Sequence, residues 1–188
     1  MCLIIDANVA CLIFSGTPDA AFQPILDALR KKKAVAVHGG HLTTEYSRIG
    51  RIRRILIELG RQGVLRKVPD DQVVAETALY HARPIQSDDP HILGLAKIAK
   101  VRLLCSHDQN LHADFTNPDL LSPRGMVYQN ASHRFLIRQN CGSSRPHKRR
   151  TRTKKYGATI SLRYAIVGNV LASGIPLENS RLAWVCRC

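Results

Sequence analysis

Short apolar runs alternate with longer stretches of helical periodicity through the first two thirds of the chain. The runs Cys2–Ile5, Ala34–Val37 and Val101–Cys105 have the length of strands buried in a parallel sheet, where helices cover both faces. Val64–Val68 predicts a further short strand, which Pro69 ends. Strands that alternate with helices predict an α/β fold, a sandwich with a largely parallel central sheet.

Helical segments fill the intervals between these strands. Apolar residues spaced by three, four and seven positions predict an amphipathic helix over Asp19–Lys33. Asp89 and Pro90 have the form of an N-cap followed by proline at the first helical position, which predicts a helix that begins there. The remaining predicted helices are one capped by Thr43 or Thr44 that reaches about Leu59, one capped by Asp70 or Asp71 that reaches about His81, a short one after Asp108, and one over Ala131–Gln139.

Charge is distributed unevenly over the 188 residues, whose formal net charge is +14. Residues 1–119 contain 15 Lys+Arg and 13 Asp+Glu, whereas residues 120–188 contain 13 and 1, so the net charges are +2 and +12. The hydrophobic content of 45% is sufficient for a buried core. We therefore predict a globular domain over 1–139 and a basic tail over 140–188, in which the run 142–155 is a solvated linker. The tail favours a polyanionic partner such as nucleic acid, although it is also typical of a solubilising segment.

The cysteines and the apolar segments bear on the compartment. The six cysteines form no CxxC motif, and six in 188 residues is too few for a disulfide scaffold, which favours a reducing compartment. The N-terminus lacks a basic segment, and Asp6 interrupts its apolar run, so no signal peptide is predicted. The most apolar long stretch, 158–175, contains Arg163 and Asn169, which argues against a membrane-spanning helix. We therefore expect a cytoplasmic protein with no membrane partner.

Four acidic residues stand where apolar segments end or helices begin, and they are the candidate functional residues. They are Asp6, Glu45, Asp89 and Asp108. Sites in parallel sheets lie beyond the carboxyl ends of the strands, so these side chains are expected to converge. Clustered carboxylates repel one another, and a hard divalent cation such as Mg²⁺ or Mn²⁺ neutralises them. The pattern therefore predicts a metal-dependent phosphodiesterase.

The order and spacing of the motifs IIDAN, TTEY, SDDPHILGLAK and RLLCSHDQNLHADF resemble the PIN-domain nuclease family. The resemblance is greatest to the bacterial PIN proteins that serve as toxins of type II toxin–antitoxin pairs. It covers roughly residues 1–136, because LLSPRGMVYQNASH is similar to the closing strand of one PIN subgroup. The residues after about Gln139 do not resemble the family.

This resemblance implies a three-layer α/β/α sandwich and an endoribonuclease that requires Mg²⁺ or Mn²⁺. It implies cleavage of single-stranded or structured RNA to a 5′-phosphate and a 3′-hydroxyl. The candidate partners are RNA, an antitoxin protein and a second copy of the chain in a homodimer. Carried over motif by motif, the resemblance makes Asp6, Glu45, Asp89 and Asp108 the catalytic and metal-binding residues, with Asn8 and Ser106 in support. Asp88 is an alternative to Asp89 for the third acidic position. His107 and Asp114 are weaker candidates for a supporting role.

Ordinary structural roles compete with each of these assignments. An Asp at a helix start caps the helix without any catalytic task, which applies most to Asp89. Glu45 has the spacing of a helix-surface ion pair with Arg48. Asp6 is harder to explain in this way, because a charge next to a buried strand needs a partner. Zinc is not the expected metal, because the histidines lack HxxxH or HExxH spacing; they are His38, His41, His91, His107 and His112. One set remains open: Arg48, Arg51, Arg53 and Arg54 either line an RNA path or form an exposed helix face.

One other class of function remains as an alternative, and a further class is disfavoured. A non-catalytic PIN-like module that binds nucleic acid or protein would use the same basic surface. A phosphate-transfer domain of the haloacid-dehalogenase type requires a second Asp two positions after the first, and that position is Asn8 here. A domain of the receiver type usually has a pair of acidic residues after the first strand, which this sequence lacks.

Overall fold

The computed structural model describes residues 2–14 and 17–141. The predicted linker at 142–155 and the rest of the basic tail lie outside this part of the chain. The last described helix crosses the predicted boundary at residue 139 and continues to Cys141.

Five short strands form one sheet in which every neighbouring pair is parallel. They are β1 (Leu3–Ile5), β2 (Ala36–His38), β3 (Leu65–Lys67), β4 (Leu103–Cys105) and β5 (Met126–Tyr128). Their order across the sheet is β3-β2-β1-β4-β5, so β1 is central. Every residue of β1 and β4 is buried, as expected of strands covered on both faces. The predicted strands are confirmed.

Helices cover the two faces of this sheet and complete a three-layer α/β/α sandwich, so the predicted fold class is confirmed. The connections are helical because parallel strands require crossovers rather than tight hairpins. A single 3-10 turn at Ala131–His133 precedes the last helix. The described helices are α1 (Ala7–Ile13), α2 (Gln23–Arg30), α3 (His41–Arg48), α4 (Gly50–Arg61), α5 (Asp70–His81), α6 (Pro90–Ala99), α7 (Gln109–Thr116) and α8 (Arg134–Cys141).

Helix α6 is the most deeply embedded helix that bears on the candidate residues. All of its residues from Pro90 to Ala96 are buried, and it packs against both α3 and α5. A Cβ atom at Gly94 would lie 2.7 Å from Thr77 Oγ1, so glycine permits the close approach of α5. The start of α6, which follows Asp89, is therefore held by packing on two sides.

The long helix predicted from Thr43 or Thr44 to Leu59 is wrong in two respects. It is two helices, because Ile49 has a ψ of 86° and interrupts the helical backbone between α3 and α4. The N-cap of α3 is Gly40, whose φ of +54° favours glycine. Neither threonine caps the helix; Thr43 instead contacts His38 through its hydroxyl, 3.0 Å from Nδ1.

Two other helix starts differ from the prediction, and one helix was not predicted. The N-cap position of α5 is Pro69, and the Asp70 carboxylate accepts a hydrogen bond of 2.8 Å from the Gly40 N–H. Helix α2 begins at Gln23, four residues after the predicted start at Asp19. Helix α1 follows β1 directly and has the Asp6 side chain as its N-cap.

Cys2 and Cys141 form a disulfide with a Cα–Cα distance of 5.0 Å, which joins the residue before β1 to the end of α8. The expectation of reduced thiols did not foresee this pair, whose members are separated by 139 residues. Cys105 is a buried free thiol and Cys11 an exposed one. Among the helices of residues 2–14 and 17–141, none has the length and apolar character needed to cross a membrane.

Candidate metal centre

Asp6 and Ser106 lie side by side where two neighbouring strands end. Strands β1 and β4 pair in parallel with Ile5 opposite Cys105. The Asp6 N–H continues this pairing by donating a hydrogen bond of 2.9 Å to the Cys105 carbonyl. Residues that follow paired parallel strands share one edge of the sheet, the usual location of a site in this architecture.

The Asp6 carboxylate is buried, with an exposed fraction of 5%. Its Oδ2 accepts a hydrogen bond of 2.6 Å from the Ser106 hydroxyl, and its Oδ1 accepts a long one of 3.5 Å from the Asn8 N–H. The fully buried Ser106 Oγ also accepts from Asn8 Nδ2 at 3.3 Å and from the Asp108 N–H at 3.0 Å. The predicted supporting residues Asn8 and Ser106 are therefore in direct contact with each other and with Asp6.

Asp108 serves as a helix cap and also lies close to Asp6. Its Oδ1 accepts hydrogen bonds from the N–H groups of Asn110 at 2.8 Å and Leu111 at 3.2 Å, which caps α7. Burial raises the pKa of Asp6, hydrogen bonds from Ser106, Asn8 and Ala7 oppose this increase, and the Asp108 charge adds to it. The capping role anticipated as an alternative is thus real for Asp108, and it coexists with electrostatic proximity to Asp6.

Asp89 occupies the N-cap position of α6, but its side chain makes no capping hydrogen bond within the described residues. Burial raises the pKa of Asp89, and the charges of Asp6, Asp108 and Asp88 raise it further. Asp88 itself is exposed. The simple capping explanation therefore does not account for the Asp89 side chain, which lies in the field of the other carboxylates.

Glu45 projects from α3 toward the same region. Burial raises its pKa, the neighbouring His41 lowers it, and the charges of Asp89 and Asp6 raise it again, while Arg48 has a smaller lowering effect. The expected surface ion pair with Arg48 is thus at most a minor influence. The charge of Asp6 therefore affects the pKa of both Glu45 and Asp89, and the charge of Asp108 affects the pKa of Asp6 and Asp89.

The histidines predicted as weak zinc candidates separate into two groups. Three have other neighbours: His38 contacts Thr43, His107 packs against Phe22 at 5.1 Å between ring centroids, and His112 Nε2 donates to the Ser106 carbonyl at 2.8 Å. The other two lie beside Glu45. The Nδ1 of His41 is 3.1 Å from Glu45 Oε1, and the Nε2 of His91 is 3.6 Å from Glu45 Oε2.

Burial and, to a smaller extent, the nearby His41 lower the pKa of His91 to about 4. The other ring nitrogen, Nδ1, lies 3.7 Å from Asp89 Oδ1. His91 therefore stands between Glu45 and Asp89 as a neutral imidazole at neutral pH. Sequence spacing did not reveal this arrangement, because His91 and Glu45 belong to separate helices.

Asp114 is a buried carboxylate with a structural role next to the site. It accepts hydrogen bonds from the N–H groups of Gln86, at 3.0 Å to each oxygen, and of Ser87, at 2.8 Å. These two residues form the segment that leads to Asp88 and Asp89. Asp114 thus holds the segment that precedes α6 in place. The sequence predicted only an unspecified supporting role for this residue.

Carboxylate oxygens that could bind a divalent cation lie at this edge of the sheet. Carboxylate, amide and hydroxyl oxygens are the ligands that Mg²⁺ and Mn²⁺ prefer, and the mutual repulsion of the carboxylates supplies the reason for a cation. The carboxylates that could take part are the predicted ones, Asp6, Glu45, Asp89 and Asp108, but in the part of the chain that the structure describes no three of them have oxygens within 4.8 Å of one another. Comparison of the chain with models of protein families gives no match, and comparisons with curated proteins and with solved structures give none either.

Proposed function

We propose that this chain is a divalent-metal-dependent endoribonuclease of the PIN type. Mg²⁺ or Mn²⁺ would be held by Asp6, Glu45, Asp89 and Asp108, which we call the acidic centre. The observation that carries the proposal is the partial or full burial of Asp6, Glu45 and Asp89, which raises the pKa of each, together with the charge of at least one other member of the set, which raises each pKa further. Mutual repulsion of carboxylates destabilises a fold, and titratable groups with shifted pKa values cluster at functional sites.

When bound, the cation supplies positive charge that neutralises the carboxylates and stabilises the charge that develops on a phosphodiester during hydrolysis. The protein's own groups determine the position of the oxygen ligands. Ser106 holds Asp6 Oδ2 through its hydroxyl, and His112 holds Ser106 through its carbonyl. The amide of Gln129 donates to His112 Nδ1 at 2.9 Å, so the proton of the ring lies on Nε2. This chain of hydrogen bonds fixes the buried carboxylate before any ligand arrives.

One exposed cation near Glu45 and two on the next helix support a nucleic-acid substrate. Arg48 is exposed and close enough to Glu45 to lower its pKa. Arg53 and Arg54 are exposed on the following helix, α4; the Arg51 side chain lies outside what the structure describes. Guanidinium groups commonly bind the phosphate oxygens of nucleic acids. An RNA substrate, an antitoxin that covers the acidic centre, and action as a toxin rest on the resemblance of the four motifs.

The decisive experiment is RNA cleavage by the full chain in Mg²⁺, in Mn²⁺ and in EDTA. Asp6→Asn and Asp89→Asn should each lower the rate at least about 100-fold, because even residues that only orient metal ligands cost 10- to 100-fold when removed. Asp71→Asn is the matched control, since Asp71 is exposed in the first turn of α5. Cleavage that persists in EDTA and in both variants contradicts the proposal. RNA binding without cleavage would support the non-catalytic binding module instead.

A second measurement does not depend on the choice of RNA. A cation that binds the folded chain alone stabilises it by about 2.7 kcal/mol at a concentration 100 times its dissociation constant. Mn²⁺ should therefore raise the melting temperature of the wild type and of Asp71→Asn, and raise that of Asp6→Asn much less. Equal shifts in all three proteins would place the cation away from Asp6.

A further inference from the structure

His91 has a buried nitrogen that the fold leaves without a hydrogen bond. The residue is in the first turn of α6 and has an exposed fraction of 6%. Its Nε2 makes no hydrogen bond within the described part of the chain, and its separation of 3.6 Å from Glu45 Oε2 exceeds hydrogen-bond distance. A buried polar atom without a partner destabilises the fold unless a ligand satisfies it. This atom is directed toward Glu45 and therefore has a ligand group beside it.

His41 completes a set of three donors around the same space. His41 and Glu45 are four residues apart on α3, so both side chains lie on one face of the helix. The donor atoms of His41, Glu45 and His91 all lie within 4.8 Å of one another. Donors bound to one tetrahedral ion at about 2.0–2.1 Å are roughly 3.4 Å apart. The separations from the two Glu45 oxygens lie on either side of that value, at 3.1 Å from Oε1 to His41 Nδ1 and 3.6 Å from Oε2 to His91 Nε2.

The carboxylate of Asp89 lies on the Nδ1 side of the His91 ring, an arrangement that is common for histidines that bind metals. Its Oδ1 is 3.7 Å from His91 Nδ1, so a small movement would give a hydrogen bond. A carboxylate in this position holds the ring proton on Nδ1 and leaves the Nε2 lone pair directed toward the metal. An ordinary ion pair with Glu45 would account for His41, which is exposed. It would not account for the buried, unpaired nitrogen of His91.

We propose that His41, Glu45 and His91 form a cation position that takes a divalent transition-metal ion, Zn²⁺ or Co²⁺, in preference to Mg²⁺. Imidazole nitrogens suit these ions, whereas Mg²⁺ prefers oxygen ligands only. Two histidines and a glutamate are a ligand set of catalytic zinc sites, and three protein donors leave the fourth position open to water or substrate. The exposure of His41 gives the ion a route of entry. The position shares Glu45 with the acidic centre but does not depend on the proposed nuclease activity.

The test is direct metal binding by the full chain without RNA. Co²⁺ should give the visible absorption of a four-coordinate nitrogen and oxygen site, and Zn²⁺ should displace it with a stoichiometry of one. His91→Gln and His41→Gln should each weaken Co²⁺ binding at least about tenfold. His81→Gln, a substitution at an exposed residue in the last turn of α5, should leave it unchanged. Because His41 is exposed, its variant should fold even if substitution of His91 impairs folding.

The overturning results are equally specific. Unchanged Co²⁺ affinity in folded His41→Gln would exclude the site. A thiolate charge-transfer band that survives in both histidine variants would place the ion on cysteines. Loss of Co²⁺ binding in Asp6→Asn together with full binding in both histidine variants would place it in the acidic centre. Failure of Mg²⁺-dependent RNA cleavage would refute the proposed function and leave these binding results intact.

Discussion

The Ser106 hydroxyl donates a hydrogen bond of 2.6 Å to Asp6 Oδ2, and the two residues are separated by 100 positions in the chain. Both follow the last residue of a strand, and β1 and β4 are neighbours in the sheet. The contact therefore depends directly on the parallel pairing of the two strands. It is also the strongest influence that opposes the effect of burial on the pKa of Asp6.

Ser106→Ala should destabilise the fold by about 1–3 kcal/mol, because a buried carboxylate oxygen loses its hydroxyl donor. The free energy of unfolding in urea measures this change. Ser47→Ala is the control, since Ser47 is exposed and its hydroxyl donates only to the Thr44 carbonyl of its own helix; a change within about 0.5 kcal/mol is expected there. Equal effects of the two substitutions would show that the contact with Asp6 contributes nothing.

Asp114→Asn should loosen the segment that leads to Asp89. The substitution removes the charge that accepts the N–H groups of Gln86 and Ser87, and hydrogen bonds to charged groups contribute about 1.5–3 kcal/mol. Hydrogen exchange at the Ser87 amide should become faster, while Asp119→Asn, at an exposed position, should leave it unchanged. Unaltered exchange in Asp114→Asn would contradict the role given to this carboxylate.

The positions of candidate residues that follow strands were the easiest to predict from the sequence. Asp6 and Asp108 follow apolar runs whose length alone predicts buried strands, and the parallel sheet then requires that their ends share one edge. The convergence of both on Ser106 follows from β1 and β4 being neighbours, which the sequence suggests only through its resemblance to a family. The roles assigned to the four carboxylates stay predictions.

Features that depend on the packing of helices could not be predicted from the sequence. His91 lies beside Glu45 only because α6 packs against α3, and no spacing within either segment encodes that contact. The division between α3 and α4 depends on the backbone of Ile49, a residue with no tendency to end a helix. The cap of α3 depends on the positive φ of Gly40, whereas two nearby threonines have the stronger capping preference. In each case tertiary structure outweighs local preference.

The Cys2–Cys141 disulfide predicts a cross-linked peptide in a digest made without reductant. Reduction should lower the free energy of unfolding by about 2–4 kcal/mol, because a bond that closes a long loop restricts the unfolded chain. Cys11→Ser should behave like the wild type in both measurements, since Cys11 is an exposed free thiol. Recovery of Cys2 and Cys141 as separate, alkylated peptides from unreduced protein would show that both are thiols in solution.

Asp89→Asn should stabilise the metal-free fold at neutral pH. The pKa of Asp89 is raised, so the folded chain binds this proton more tightly than the unfolded chain, and the ionised group opposes folding above its folded pKa. That unfavourable contribution disappears as the pH falls below the unfolded value of 3.8. In EDTA, the variant should gain about 0.5–2 kcal/mol at pH 7, the range common for single stabilising substitutions. The gain should shrink steadily as the pH is lowered toward that value.

Asp70→Asn is the control of opposite sign. The hydrogen bond from Lys67, 2.6 Å from Asp70 Oδ2, and the Gly40 N–H lower the pKa of Asp70, so its ionised form favours folding above the unfolded pKa of 3.8. This variant should therefore lose stability at pH 7, and the loss should fade as the pH falls through the lowered pKa. Urea denaturation of the wild type and both variants at several pH values measures the two trends. A gain in Asp89→Asn that does not vary with pH would mean that repulsion among the carboxylates is not its cause.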